Sequence, residues 1–377
     1  MDKVGVVGFY QVKPDLDKMM SPYEMLFEAT RGALDHAGLK RDDLSTVIGC
    51  SNDYYDGKTI SNCFKVESSG AYMKDESKVE MDGAHAMMYG LMRILSGNHK
   101  LAMIYGLSMP SCFPYESVRV LENDPTFDRP INLLNSYTAG AMQMRAYLNT
   151  FGLSEEDIAN VAAYNLRNAA KNPLALAEAK KPNISVADVL NSEVLSTPLR
   201  ELMYPILCDG ITAVILAPER QALKITDKPV WVTGVGHFNE TYYLGDRDLS
   251  SCLSMEKAAE RAYKLAGIKD PKREIDVAEL FGHTACEDLI LAEAAGLADK
   301  GKGISLIDTG KLNPSGGTMA GYTPAANGLT RIMEAVKQIR GDADGHQVSG
   351  ANKAIASGQV GFCAQNNIIY VLEGGEK

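Results

Sequence analysis

The feature that most restricts what this chain can fold into is an internal repeat. Ala33-Leu-Asp-His-Ala-Gly-Leu-Lys40 recurs as Ala262-Tyr-Lys-Leu-Ala-Gly-Ile-Lys269, 262 − 33 = 229 residues later. A second pair keeps the same order: Tyr89-Gly-Leu-Met-Arg-Ile-Leu95 and Asn327-Gly-Leu-Thr-Arg-Ile-Met333, at 327 − 89 = 238. Helix ends of the AxxAG kind are common, so either match alone could be chance. Order and spacing kept together make duplication the better reading. At 377 residues the chain is long for one domain, and a duplicated unit also fits that length.

Around the repeats, short β-rich runs alternate with longer amphipathic segments, which is the α/β pattern. Val4–Phe9 reads as a strand, Pro22–Ala37 as a helix and Thr46–Cys50 as a strand. Gly38 stops the helix because it takes the left-handed conformation at little cost. In the second half Ile275–Leu280 is the corresponding strand. A helix begins just before each copy of the second repeat, near Asp82–Ala84 and near Gly321–Thr323. Under a pseudo-two-fold axis the two N-termini face one another across a cleft. Their N–H groups and positive dipole ends then suit an anion or a developing oxyanion. Between the halves, about Ser108–Tyr204, lies a helical insertion. Ser136–Phe151 and Glu155–Lys171 are amphipathic there, and Ser154 with Asp157 forms a capping-box start. Insertions with their own helices usually act as lids or binding surfaces.

Composition narrows the function. A net charge of −10 provides no basic stripe for nucleic acid. No apolar run is long enough to span a bilayer, and MDKVGVVGFYQVK lacks a signal-peptide pattern. The seven cysteines, at 50, 63, 112, 208, 252, 286 and 363, show no CxxC pairs or metal spacing. Reduced thiols, a cytoplasmic location and no metal in this chain are the expectations.

Several blocks now resemble one family. Asn313-Pro-Ser-Gly-Gly317, Gly321-Tyr-Thr-Pro324 and Ala326-Asn-Gly328 resemble the NPSGG…GHPxGATG block of thiolases. Cys208-Asp-Gly-Ile-Thr-Ala-Val-Ile-Leu216 resembles their SDGAAAVVL strand. Asn165–Ala175 looks like the NrrnAaxNPxA segment of the sterol-carrier-protein type, and Asp276-Val-Ala-Glu279 matches the strand before the HDxF or NEAF motif. The blocks fall in family order over nearly the whole chain. The resemblance implies a duplicated five-layer αβαβα fold: one half from 1–107 and 205–228, an inserted helical loop domain at 108–204, and a second half at 229–377. It further implies a homodimer, coenzyme A as the carrier of an acyl substrate, and chemistry at a carbon–carbon bond beside a thioester carbonyl. On this reading Asn313, Ser315, Gly316 and Gly317 would border the coenzyme A site, since small residues permit close backbone approach.

The catalytic positions depart from the pattern. Where thiolases place a nucleophilic cysteine, alignment offers Glu80 or Gly83, with Asp82 between, and never cysteine. Cys63 and Cys112 are the nearest thiols, and both lie outside the segment. The HDxF slot reads Phe281-Gly-His-Thr284, the GHP histidine is replaced by Tyr322, and the second cysteine aligns with Gly361, two residues before Cys363. No positioned thiolate can take an acyl group, so the usual two-step mechanism is excluded.

Two explanations remain. In the first, the cleft cleaves or forms a carbon–carbon bond without an acyl-enzyme, as in retro-aldol cleavage of a β-hydroxyacyl thioester. That reaction needs a base for the hydroxyl proton and donors for the enolate. Tyr322, His283 and one of Glu80 or Asp82 are the candidates. Thiolase-like aldolases of steroid side-chain degradation resemble this case, although only Tyr322 stands in a matching place. In the second, the chain is a non-catalytic subunit of a heteromeric acyl-CoA complex. Its partner would be a catalytic thiolase paralogue or the small zinc-ribbon/OB-fold protein that such relatives work with.

Each candidate has a plainer reading. Tyr322 could be a packed aromatic, His283 a satisfied buried imidazole and Asp82 an N-cap. His85 is read as packed and Cys363 as an inert buried thiol. A buried Glu80 would have a raised pKa and could serve as an acid or base.

Overall fold

The computed structural model describes residues 3–51 and 64–375. Local signals explain the outer helices. Helix α1 (Pro22–Ala37) starts with a capping box between Ser21 and Glu24, has proline in its first turn, and ends at Gly38, whose φ is +64°. Its buried face is Met25, Leu26, Ala29, Ala33 and Ala37, the spacing of one helical stripe. The counterpart in the second half, Leu253–Ala266, ends at Gly267 with φ +73°. The first repeat is therefore one structural unit used twice.

Among the described residues the main sheet has nine strands: β1 (Val4–Asp15), β2 (Thr46–Cys50), β3 (Asp75–Val79), β4 (Ala102–Ser108), β5 (Asp209–Pro218), β6 (Val230–Asn239), β7 (Val277–Glu279), β8 (Lys353–Val360) and β9 (Asn366–Gly374). Their order across the sheet is β3-β2-β4-β5-β1-β6-β9-β8-β7. Each half repeats one pattern. β2 lies parallel to β3 and β4, and β5 pairs antiparallel with both β4 and β1. In the second half β7 lies parallel to β8 and is bridged in parallel at Leu312, while β9 pairs antiparallel with both β8 and β6. β1 and β6 join the halves antiparallel through Gly5–Trp231 and Val6–Val230. The duplication is thus present in topology as well as in sequence.

Strand alternation sorts side chains into layers. In β4, Met103 and Tyr105 join one core with α1, whereas Ile104 joins another with α2 (Gly83–Leu95). In β9, Ile368 and Tyr370 join that central core, and Ile369 and Val371 turn to the opposite side. The central core also holds Leu329, Ile332 and Val336 of the long helix Asn327–Arg340. The result is helix, sheet, paired central helices, sheet, helix, which is the five-layer arrangement expected.

Five details differ from the expectations. The strand expected at Ile275–Leu280 spans only Val277–Glu279, and the helix expected at Glu155–Lys171 ends at Ala169. β1 runs on to Asp15, because residues beyond Phe9 pair with residues 209–213 of β5. The second helix start lies at Asn327 rather than at 321–323; a 3₁₀ turn, Gly317–Ala320, takes up the preceding segment. The second repeat links equivalent helices out of register. The helices begin at 83 and 327, an offset of 327 − 83 = 244 rather than 238.

The segment between β4 and β5 carries α3 (Tyr115–Arg119), α4 (Ser136–Phe151) and α5 (Glu155–Ala169). The Ser154–Asp157 capping box is formed as expected. No helix of the described residues is long and apolar enough to cross a membrane.

Candidate active site

A cavity of about 430 Å³ opens at the carboxyl ends of the strands, bordered by the turn after β3, the loop after β7 and the loop after β8. Carboxyl ends of strands are the usual binding side of open α/β sheets. Glu80, Asp82, His283 and Tyr322 all line it, so the four catalytic candidates converge on one cavity. Asn313, Ser315, Gly316 and Gly317 are not on its wall.

Tyr322 is fixed by its backbone. Its N–H donates to the carbonyl of Ile206 (2.9 Å), and its carbonyl accepts from Cys208 N–H (2.9 Å). Its ring is buried against Phe281 and Tyr115. The Tyr322 hydroxyl stands 3.0 Å from the Tyr115 hydroxyl and 3.2 Å from His283 Nε2. Arg119 closes the group: one guanidinium nitrogen is 3.4 Å from Tyr115 Oη and 3.4 Å from His283 Nε2. Its Nε lies 3.6 Å from a carboxylate oxygen of Glu122. Burial pushes the Tyr115 phenol up, against the pull of the nearby Arg119 charge. Phe281 supplies an apolar floor, its ring 4.9 Å from His283 and 5.7 Å from Tyr322. Gln359 and the Ser357 hydroxyl hold the Phe281 backbone from β8.

Tyr115 and Arg119 were not anticipated. They sit four apart on α3, in the inserted segment, where neither repeat nor motif marks them. Their i, i+4 spacing after Pro114 was the only available signal, and it is common on helices.

The turn after β3 shows what replaced the cysteine neighbourhood. Met81 holds φ +100°, a costly conformation for a residue with a side chain. Asp82 then N-caps α2: one carboxylate oxygen accepts from Ala84 N–H (2.9 Å), and the other accepts from Gly328 N–H (2.9 Å) in the facing helix. The helix N-termini do meet, and the protein's own carboxylate fills the place where they meet. Glycine is required around it, since a Cβ at Gly328 would lie 1.8 Å from Asp82 Oδ1 and one at Gly358 2.4 Å. Burial raises the Asp82 carboxyl to about 7, against hydrogen bonds from Gly328, Ala84 and Gly83. Glu80 is not buried: its side chain is 56% exposed, 3.6 Å from Lys78 Nζ.

The Asn313–Gly317 block lies wholly in the interior. The Asn313 side-chain oxygen accepts from Leu280 N–H (2.7 Å). Ser315 donates through N–H and hydroxyl to the Glu279 carboxylate (3.0 and 2.7 Å), and Arg331 donates to both (2.8 and 2.7 Å). A Cβ at Gly316 would meet Ala169 at 2.8 Å, so what approaches this glycine closely is α5. His85 is buried with Nε2 against Asn366, and burial lowers it to about 4. Cys363 is buried, its thiol donating to the Ala139 carbonyl (3.4 Å), and burial pushes that thiol up. Cys63 lies outside the described residues. Among the described residues no group of three or more His, Cys, Asp or Glu side chains could hold a metal ion.

The chain is similar to known proteins in sequence and in fold. Residues 236–373 match the family described as thiolase C-terminal domain-like. An acetyl-CoA acetyltransferase of Methanothermobacter thermautotrophicus is 29% identical over 376 residues, covering 93% of this chain and 94% of its own. Among solved structures, an Ltp2–ChsH2(DUF35) aldolase superposes with TM-score 0.83 at 20% identity, over 100% of this chain and 99% of that one. A monomeric SCP2-thiolase-like protein type 1 from Mycobacterium smegmatis gives 0.72 at 18% identity, over 98% and 76%.

Proposed function

Because the chain belongs to the thiolase superfamily, in its SCP2-thiolase-like branch, we propose that it works on the carbon–carbon bond next to an acyl-CoA carbonyl without a cysteine nucleophile. The reaction that suits these residues is retro-aldol cleavage of a β-hydroxyacyl-CoA, or its reverse. One observation carries this reading: the Tyr322 hydroxyl, within hydrogen-bond reach of His283 and Tyr115, lines a cavity whose described walls contain no thiol.

The steps balance without an acyl-enzyme. A base removes the proton of the β-hydroxyl. The bond between Cα and Cβ breaks, a carbonyl compound leaves, and the electron pair passes to the thioester as its enolate. Cα then takes a proton. Tyr322, relayed to His283, is the group for the first proton, and such positioned acid–base help is typically worth about 10²–10⁴-fold. Arg119 and the Tyr115 hydroxyl are the donors that could offset negative charge on a phenolate or enolate oxygen. Phe281 keeps water from that face.

A second reading has its own support. Asp82 occupies the facing helix ends, which otherwise would suit an oxyanion, and that favours a non-catalytic subunit. The aldolase of similar fold carries two names, Ltp2 and ChsH2(DUF35). We accordingly propose a homodimer that pairs with a small zinc-ribbon/OB-fold partner or a catalytic paralogue.

The test is an assay of the purified chain, with and without such a partner, on β-hydroxyacyl-CoA and on β-ketoacyl-CoA plus coenzyme A. Release of a carbonyl product from the β-hydroxy substrate alone is expected. Turnover of the β-ketoacyl substrate alone would contradict the retro-aldol reading, and absence of both turnover and acyl-CoA binding would leave the subunit reading.

A further inference from the structure

His283 has two ring nitrogens, and its surroundings address them differently. On one side Arg119, a permanent donor with no acceptor atoms, stands 3.4 Å from Nε2. That contact is favourable only if Nε2 carries a lone pair. On the other side Glu287 presents a carboxylate oxygen 3.7 Å from Nδ1. The same oxygen accepts from the His283 backbone N–H at 2.6 Å.

Glu287 is built firmly into place. It is the third residue of the helix Ala285–Ala294, and its backbone N–H donates to the Thr284 hydroxyl that caps that helix. A capping-box glutamate would return to the N–H of the cap residue itself. Here the carboxylate reaches one residue further back, to His283. Glu287 is 1% exposed, and among the described residues His283 is the one basic side chain whose nitrogen comes within 4.0 Å of its carboxylate. Its other oxygen makes no hydrogen bond with the described residues. Glu287 lines a cavity of about 10 Å³ together with Gln143, whose side-chain nitrogen likewise has no such partner. That volume is about one water. Among the described residues Arg119 is the one arginine or lysine that lines that cavity, and it also reaches His283, Tyr115 and Glu122.

We infer that Glu287 is a positioning residue: from behind the ring it holds His283 as the Nδ1–H tautomer, so that the Nε2 lone pair faces the Tyr322 hydroxyl. This rests on the proposal that Tyr322 and His283 are the reacting pair, yet the tautomer can be read without any turnover. The charged and titratable groups around the ring are Arg119 and Glu122 on one side, Tyr115 and Tyr322 at Nε2, and Glu287 at Nδ1.

The test is nitrogen NMR of the full chain with labelled histidine, at pH about 8, where an ordinary histidine is neutral. There are six histidines, and the His283 signals are identified by their loss in His283→Asn. Wild type should show His283 as Nδ1–H alone. Glu287→Leu should lose that single form and gain Nε2–H signal, whereas Glu287→Gln, which keeps a carbonyl acceptor, should retain it. If Glu287→Leu does not fold, the wild-type spectrum still decides. An Nε2–H ring in wild type, or an unchanged Nδ1–H ring in folded Glu287→Leu, would overturn the inference. A chain with the expected tautomer but no turnover would support it and remove the retro-aldol reading instead.

Discussion

Two polar clusters flank the carboxyl end of β7, one around Glu279 and one around His283, and they are built in opposite ways. In the first, Glu279, Ser315 and Arg331 are buried on every side and joined at 2.7–3.0 Å. In the second, Tyr115, Arg119, His283 and Tyr322 meet at 3.0–3.4 Å around a cavity. The first belongs to the block that most resembles a family motif, yet none of its residues lines the 430 Å³ cavity, and it ties a loop to a helix. The second is drawn from three distant segments and includes two residues no motif contains. A buried cluster whose members bond one another at short range is architecture. A looser one turned toward open space retains bonds it can exchange with a substrate, and catalytic hydrogen bonds without ligand are often long.

The contrast can be broken first at the buried cluster. Arg331→Met leaves the Glu279 carboxylate buried without its counter-charge, and such loss typically costs about 3–5 kcal/mol. Denaturant unfolding should show that loss, with the remaining folded protein still binding ligand at the cavity. A midpoint unchanged from wild type would make the cluster dispensable.

The Asp82 cap gives a smaller and pH-dependent effect. Burial raises its folded pKa to about 7, above the ordinary carboxylate range. Its contribution is therefore fully present below the unfolded value, near about 4, and is lost as pH rises through about 7. Relative to Asp82→Asn, wild type should lose on the order of 1.4 kcal/mol per pH unit across that window. Parallel stability curves for the two proteins between pH 4 and 8 would show that Asp82 is ionised throughout.

The smallest effect is expected at Cys363. Serine can donate to the same Ala139 carbonyl, and the thiol stands outside the main cavity wall. Cys363→Ser should stay within about twofold of wild-type activity and about 1 kcal/mol of its stability. Loss of activity in a folded Cys363→Ser protein would return a thiol to the mechanism.

What was legible in the sequence was whatever local chemistry decides. Pro22–Ala37 ends at the glycine that marks its stop, and Thr46–Cys50 and Ser136–Phe151 have the bounds read from their residue patterning. The last half of β1 was not legible, because its polar residues become strand only by pairing with β5, some two hundred positions away. The repeat at 33 and 262 was read in register because each copy ends at a left-handed glycine. The repeat at 89 and 327 slipped along equivalent helices: its first copy runs up to Gly97 (φ +78°), whereas its second stops short of Gly341 (φ +81°), the stop that stands in register with Gly97. Glycines at 316 and 317 correctly implied close approach, but sequence could not say that what approached Gly316 was Ala169 rather than a ligand. Tyr322 and His283 were found because the family pattern marks their neighbourhood. Tyr115 and Arg119 were missed because only tertiary folding of the inserted segment brings α3 over the strand ends.

The central claim is that a tyrosine, in place of a thiol, carries the chemistry of this site. Its most direct test is the rate of carbonyl-product release from a β-hydroxyacyl-CoA by wild type and Tyr322→Phe, each with its partner protein and each shown to be folded. A fall of about 10²–10⁴-fold in kcat for Tyr322→Phe is the expected result. Equal rates for the two proteins would contradict it.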